Sequence, residues 1–265
     1  MESLLLDFLK VTELAAVSAF PWIGSGDENS ADDAATTTMR DILNGIEMDS
    51  RIVIGEGEID NAPMLDIGEV LGKGGKCKVD IAVDPLEGTT PIVNGKENGI
   101  SVIAVARKNT LLHAPDMYMK KMAVGPKAKG AIDLEAPLEE NMMNVAKALD
   151  KRIEELNIYI QDRPRHQEIV NRIRKIGAKV HLFNDGDVIY TVSTCLDTNV
   201  DMFLGIGGAP EGVLGAVGIR ALGGDMQAKL LPRNEEEINR CREMGIADVD
   251  AVLGIHDLVR TDKCV

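Results

Sequence analysis

A chain of 265 residues, 45% hydrophobic and 27% charged, can bury a large core as one big domain or two lobes. Its formal net charge of −14 argues against a general nucleic-acid binder, which needs a basic face, although local metals and arginines can still hold a small anion. Aromatic residues are only 3%, so the core must be built from Ile, Leu, Val, Ala and Met. Cys77, Cys195, Cys241 and Cys264 are far apart with no Cys-x-x-Cys, which fits reduced thiols in a cytoplasm better than a disulfide framework or a zinc site. The N-terminus lacks a basic n-region and reads at once as an amphipathic helix over residues 2 to about 20, ended near Pro21, so no signal peptide is expected. No apolar run approaches membrane-spanning length.

A glycine-rich acidic loop, Gly24-Ser25-Gly26-Asp27-Glu28, precedes a second helix over residues 31–47. A β-branched strand at 51–54 runs into Gly55-Glu56-Gly57-Glu58. Residues 79–83 alternate as a strand and lead into Asp84-Pro85-Leu86-Glu87-Gly88-Thr89. Strands are expected at 99–106 and 118–124, then a helix over 137–149. From there the pattern becomes regular, with strands at 158–160, 179–183 and 201–206 and helices at 164–176, 188–195 and 210–221. That alternation has βαβ spacing and predicts a helix-covered sheet. A lobe boundary is expected between 135 and 155, giving lobes 1–145 and 146–265.

Three segments before residue 90 end in carboxylate-bearing turns: Asp32 and Asp33, Glu56 and Glu58, Asp84 and Glu87. Asp32 or Asp33 could simply cap a helix, and Glu56 with Glu58 could be a solvated turn. Carboxylates at strand ends on one side of an α/β sheet form a site instead. Packed together they repel unless cations intervene, and an oxygen-only set without a His pair suits Mg²⁺ or Mn²⁺ over zinc. The Thr89 hydroxyl then stands where it can orient a water, and the chemistry implied is metal-assisted attack of water on a phosphate ester. His113, His166, His181 and His256 are scattered and read as surface or packing residues.

Gly207-Gly208-Ala209-Pro210-Glu211-Gly212 allows close backbone approach to a ligand and projects Glu211 from a helix start. Dipole complementarity alone, under about 1 kcal/mol, is the plainer role for that acid. Arg163-Pro164-Arg165-His166 opens a helix after a strand, an arrangement suited to an anion, with Arg163 and Arg165 placed for a distal phosphate. Asp185-Gly186-Asp187 follows the next strand, where its acids can accept sugar hydroxyls or cap the helix.

The hexapeptide 84–89 resembles the signature of the lithium-sensitive, magnesium-dependent sugar and inositol phosphatases. Joined with Ile54-Gly-Glu-Gly-Glu58, Ala62-Pro-Met-Leu65, Ala114-Pro-Asp-Met-Tyr-Met119, Arg163-Pro-Arg-His166, Asp185-Gly-Asp187 and Gly207-Gly-Ala-Pro-Glu-Gly212, it resembles class II fructose-1,6-bisphosphatases of the GlpX type over essentially the whole chain. The resemblance implies a layered α/β/α/β/α sandwich of the sugar/inositol phosphatase type. It implies hydrolysis of the 1-phosphate of fructose 1,6-bisphosphate to fructose 6-phosphate, in gluconeogenesis, with two or more Mg²⁺ or Mn²⁺ per site. It makes Asp32 and Glu56 ligands of one metal and Asp84, Glu87 and Glu211 ligands of the other, with Thr89 orienting the water. Glu87, Gly88, Thr89, Tyr118, Arg163, Pro164, Arg165, Asp185, Gly186, Asp187 and Gly208 would line the substrate site. The chain departs from the family pattern at Glu28, where a basic residue is usual, and at Asp33, where glycine is usual. Relatives also continue past the equivalent of Val265, so the second lobe is expected to be short of the family's full C-terminal extent. A cytoplasmic homo-oligomer, dimer or tetramer, acting on a small sugar bisphosphate without nucleic acid or membrane, is the expected setting. Sedoheptulose-1,7-bisphosphatase or inositol monophosphatase-like activity is the near alternative, and a non-catalytic sugar-phosphate-binding protein the distant one.

Overall fold

The computed structural model describes residues 1–55 and 65–265, so Glu56, Glu58 and residues 62–64 of the motifs above lie outside the described residues. The chain divides into two compact units, Met1–Leu111 with Lys263–Val265, and Leu112–Asp262.

In the first unit, α1 (Leu5–Ala19) and α2 (Glu28–Asn44) lead into β1 (Asp49–Ile54), β2 (Val70–Leu71), β3 (Lys78–Glu87), a short α3 (Thr89–Val93) and β4 (Ile100–Arg107). The strands form one sheet in the order β2-β1-β3-β4, with β1 and β3 parallel and β3 and β4 antiparallel. Phe8, Val11 and Ala15 recur on one face of α1, and Ala31, Ala35, Met39 and Leu43 on one face of α2. Both stripes join Ile52, Ile81, Val83 and Val105 of the sheet in a single buried cluster. Each such Leu, Ile, Val or Phe side chain gains roughly 1.5–3 kcal/mol on full burial. The helix expected over 31–47 starts three residues earlier because Asp27 caps it, accepting from Ser30 N at 3.1 Å. The chain end belongs here too: Val265 exchanges both backbone hydrogen bonds with Val105, at 2.7 and 2.9 Å.

The second unit comprises β5 (Tyr118–Val124), α4 (Leu138–Ala148), β6 (Asn157–Gln161), α5 (Gln167–Ile176), β7 (Lys179–Phe183), α6 (Asp187–Ser193), β8 (Met202–Gly208) and α7 (Ala209–Leu222). After them come β9 (Asp225–Leu230), α8 (Glu235–Glu243), β10 (Leu253–Gly254) and α9 (Ile255–Leu258). Its sheet runs β10-β9-β5-β8-β6-β7. β5 and β7 keep the bounds expected from sequence. Strands β6, β7 and β8 are parallel, joined through α5 and α6, and Ile158, Ile160, Val170, Ile173 and Met202 share their buried cluster. The boundary expected near 135–155 falls inside this unit, because β5 pairs with β8 on one edge and β9 on the other. Both units are thus α/β, each a mixed sheet with helices. Among the described residues no helix is long and apolar enough to cross a membrane.

Candidate active site

In the first unit the end of β3 carries the acids. Asp84 stands opposite Val102 of β4 and Glu87 opposite Ile100, so Pro85 and Leu86 together face a single residue. This is a β-bulge, and it has a consequence for side-chain direction. Residues three apart on a regular strand point to opposite faces; the extra residue brings Asp84 and Glu87 to the same face. Pro85, which has no N–H to donate, suits that interruption. Glu87 is buried, while half-buried Asp84 accepts from Leu86 N at 3.1 Å through Oδ1.

Gly88 then turns the chain into α3 with φ 85° and ψ 42°, left-handed values that a side chain would disfavour. Thr89 is the first residue of α3. Its hydroxyl lies 2.9 Å from Asp32 Oδ1 and 2.9 Å from the Leu86 carbonyl, two acceptors for one proton. Beside it Thr90 donates to Glu28 Oε1 at 2.7 Å. Since Asp27 is the cap, Asp32 is not one. It stands a turn further along α2, half-buried, and meets the threonine, whereas Asp33 is exposed. The acidic glycine loop is tied to α3: Gly24 N and Gly26 N donate to the carbonyls of Ile92 and Val93 at 3.1 and 2.9 Å.

In the second unit the predicted residues gather at the carboxyl ends of β6, β7 and β8. β6 connects outward to β7, whereas β8 connects through α7 to β9 on the other side, so the sheet switches direction between β6 and β8. Ligand sites in open α/β sheets form at that point. Pro164 starts the helical turn after β6, flanked by the two arginines. Arg163 pairs with Asp185 at 3.0 Å. Arg165 donates to the Ile206 carbonyl at 2.8 Å and to Gln161 Oε1 at 3.0 Å, and its guanidinium lies 4.9 Å from the Tyr118 ring centroid. Buried His166 accepts from Ile206 N at 2.8 Å through Nε2, which leaves Nδ1–H to donate to the Gln161 carbonyl at 2.7 Å. Burial lowers its pKa, so this ring is neutral and bridges the ends of β6 and β8. Gly186 caps α6, placing Asp187 as its first residue, buried.

Gly207 and Gly208 are required by close approach. A Cβ at Gly207 would stand 2.1 Å from Asp187 Oδ2, and one at Gly208 1.9 Å from Glu211 Oε2. Glu211 Oε2 is buried without a hydrogen-bond partner among the described residues. Burial pushes this carboxyl's pKa up, with Asp187 and Asp116 adding to the rise and Lys121 opposing it.

Sequence motifs did not mark Lys121 or Arg233. Lys121 is buried and donates to Asp187 Oδ2 at 2.5 Å. Its signal was the alternation of β5, in which Met119, Lys121 and Ala123 all point inward. Arg233 lies 5.8 Å from the Tyr118 ring centroid and is clamped by Glu237. The structure thus pairs Asp32 with Thr89, and separately gathers Asp187, Gly208 and Glu211. Among the described residues no group of three or more acids, histidines and cysteines forms a finished metal cluster; Glu56 lies outside them. The donors nonetheless fit hard divalent cations: all are carboxylates, and that of Glu211 has a buried oxygen with no hydrogen-bond partner among the described residues.

The chain matches, over residues 2–265, the family described as bacterial fructose-1,6-bisphosphatase, glpX-encoded. It is 50% identical to the class 2 fructose-1,6-bisphosphatase of Haemophilus influenzae over 277 aligned residues, covering 99% of this chain and 83% of that protein. It is 47% identical to the fructose-1,6-bisphosphatase 1 class 2 of Escherichia coli K12, over 99% of this chain and 82% of the relative. The second class 2 enzyme of that organism is also 47% identical, over 98% and 85%.

Proposed function

The chain belongs to the glpX-encoded bacterial fructose-1,6-bisphosphatases, and on that footing we propose that it hydrolyses the 1-phosphate of fructose 1,6-bisphosphate to fructose 6-phosphate and phosphate, a gluconeogenic step. It is a phosphomonoester hydrolase of a metal-dependent family. We assign Asp32, Glu56, Asp84, Glu87 and Glu211 as the carboxylates that hold two or more Mg²⁺ or Mn²⁺. When bound, such ions neutralise phosphoryl charge and acidify a water.

The chain's own residues supply the aim. The observation that carries the mechanism is the Thr89 hydroxyl at 2.9 Å from Asp32 Oδ1. A hydroxyl that donates its hydrogen bond to a carboxylate presents its lone pairs outward, where they can accept a hydrogen bond from the attacking water and orient it, with Asp32 as the final acceptor of any proton passed along. Arg165, already fixed by Ile206, Gln161 and Tyr118, is proposed to bind the distal phosphate without losing rotamer freedom on binding. Asp185, Asp187 and the Gly208 backbone are proposed to receive the sugar. The scattered spacing of Cys77, Cys195, Cys241 and Cys264, with no Cys-x-x-Cys, supports a cytoplasmic setting. Leu6, Val17 and Phe20 of the N-terminal helical stretch, 65–79% exposed, support a homo-oligomer, dimer or tetramer, that covers them.

Phosphate release from fructose 1,6-bisphosphate is expected with Mg²⁺ or Mn²⁺ and is expected to stop with EDTA. Robust turnover in a metal-stripped sample refutes the metal assignment. Sedoheptulose 1,7-bisphosphate and inositol monophosphate in the same assay decide the substrate. Arg165→Ala is expected to raise KM for the bisphosphate with a smaller change in kcat, the pattern of lost uniform binding. A loss confined to kcat places this arginine at the scissile phosphate instead.

A further inference from the structure

Lys121 is 1% exposed, among the largest fully buried side chains of the described chain. Burying an ammonium group is costly unless it is paired and hydrogen-bonded. Here Nζ donates to Asp187 Oδ2 at 2.5 Å and to the Gly208 carbonyl at 2.9 Å. One side chain on β5 therefore holds the first residue of α6 and the residue before α7. The surrounding space is tight. A Cβ on Gly207 would stand 3.1 Å from Lys121 Nζ, and one on Gly212 would stand 3.1 Å from Lys121 Cδ and 2.7 Å from Met119 Sδ. Glycines at 207 and 212 leave room for the lysine stem and nothing larger. The ammonium occupies Oδ2 of Asp187.

We infer that Lys121 is a positioning residue for the sugar phosphate: it fixes Asp187 and the Gly208 backbone in their receiving geometry without touching substrate itself. A purely structural ion pair at this depth is replaceable by apolar residues of similar volume with little loss. This pair is joined to two turns that both carry proposed substrate contacts, and Nζ hydrogen-bonds to both of them. The inference rests on the reading that Asp187 and Gly208 line the substrate site.

The test uses the full chain and three variants, Lys121→Met, Asp187→Asn and the double variant, with thermal melting, calorimetric binding of fructose 6-phosphate, and steady-state kinetics. Each single variant is expected to weaken fructose 6-phosphate binding and raise KM by about 10- to 100-fold, the scale of a hydrogen bond to a charged group, with kcat less affected. The double variant is expected to be no worse than the worse single, since both remove one coupled contact. Lys121→Met that lowers the melting temperature but leaves binding and KM intact overturns the inference. Asp187→Asn with normal binding and KM overturns instead the assignment of Asp187 to the substrate. Should Lys121→Met fail to fold, Lys121→Leu removes the same donor with a branched apolar stem, and an unchanged KM in that variant overturns the inference equally.

Discussion

Thr89→Val is expected to lower kcat on the order of 10²-fold or more, the usual scale for lost proton-transfer help, while Thr89→Ser retains substantial activity. Valine matches threonine in shape, so the change removes the hydroxyl and little else. The plainer role for that hydroxyl is to brace the turn through the Leu86 carbonyl, as threonine often does. Both acceptors stand at 2.9 Å and the single proton serves one at a time. The Asp32 carboxylate is the stronger acceptor because it carries charge, so it holds the proton and leaves the oxygen lone pairs to the water. If the Leu86 bond were the whole story, Thr89→Val would cost about 1 kcal/mol of stability and leave kcat near normal. Measuring kcat at saturating metal beside thermal melting separates the two. A valine variant with near-normal kcat and a lowered melting temperature ends the water-orienting role and leaves the family assignment untouched.

The pairing behind this prediction could be named from the sequence only in part. Asp84-Pro85-Leu86-Glu87-Gly88-Thr89 is contiguous and read as a unit, but Asp32 meets Thr89 across 57 residues, a contact made by tertiary packing alone. Asp27 takes the cap, and Asp32, a turn further along α2, meets Thr89 while Asp33 is exposed. The bulge at Pro85 and Leu86 was invisible for a different reason: it is a register shift between two strands, and periodicity within one strand cannot report it. Strand β9 lies beyond residue 221, where no element was expected, although Met226, Ala228 and Leu230 alternate inward between Asp225, Gln227 and Lys229. Polar intervening residues lower its mean hydropathy, and the alternation outweighs that in the sheet. Strand β5 kept its expected bounds but not its expected lobe, because membership is decided by the partners on its two edges. Lysine at an inward position of β5 is a local inconsistency, and such inconsistencies gather where function is carried.

Glu211→Gln is expected to separate stability from activity. In the metal-free protein the Glu211 carboxyl has a buried oxygen with no hydrogen-bond partner among the described residues, and burial raises its pKa. An acid whose folded pKa is raised costs stability as pH climbs above its unfolded value, because the fold disfavours the charged form. Glutamine removes that charge. Melting in EDTA is therefore expected to be unchanged or higher than for the parent chain. With Mg²⁺ or Mn²⁺ the order reverses: a cation bound by the carboxylate stabilises the parent in proportion to the logarithm of metal over Kd, and the variant loses that gain. Activity is expected to fall on the order of 10²-fold, as for removal of a charged group that stabilises a transition state. Gly208→Ala provides the complementary perturbation. Its backbone, at φ −64° and ψ 144°, accepts alanine without strain, yet the new Cβ lands 1.9 Å from Oε2 and pushes the carboxylate aside. That variant keeps the charge and moves it, so the metal concentration for half-maximal activity is expected to rise while melting in EDTA stays close to the parent's. Equal metal-induced melting shifts in the parent and in Glu211→Gln would remove Glu211 from the ligand set and return it to the plainer role of an acid complementing the positive end of α7.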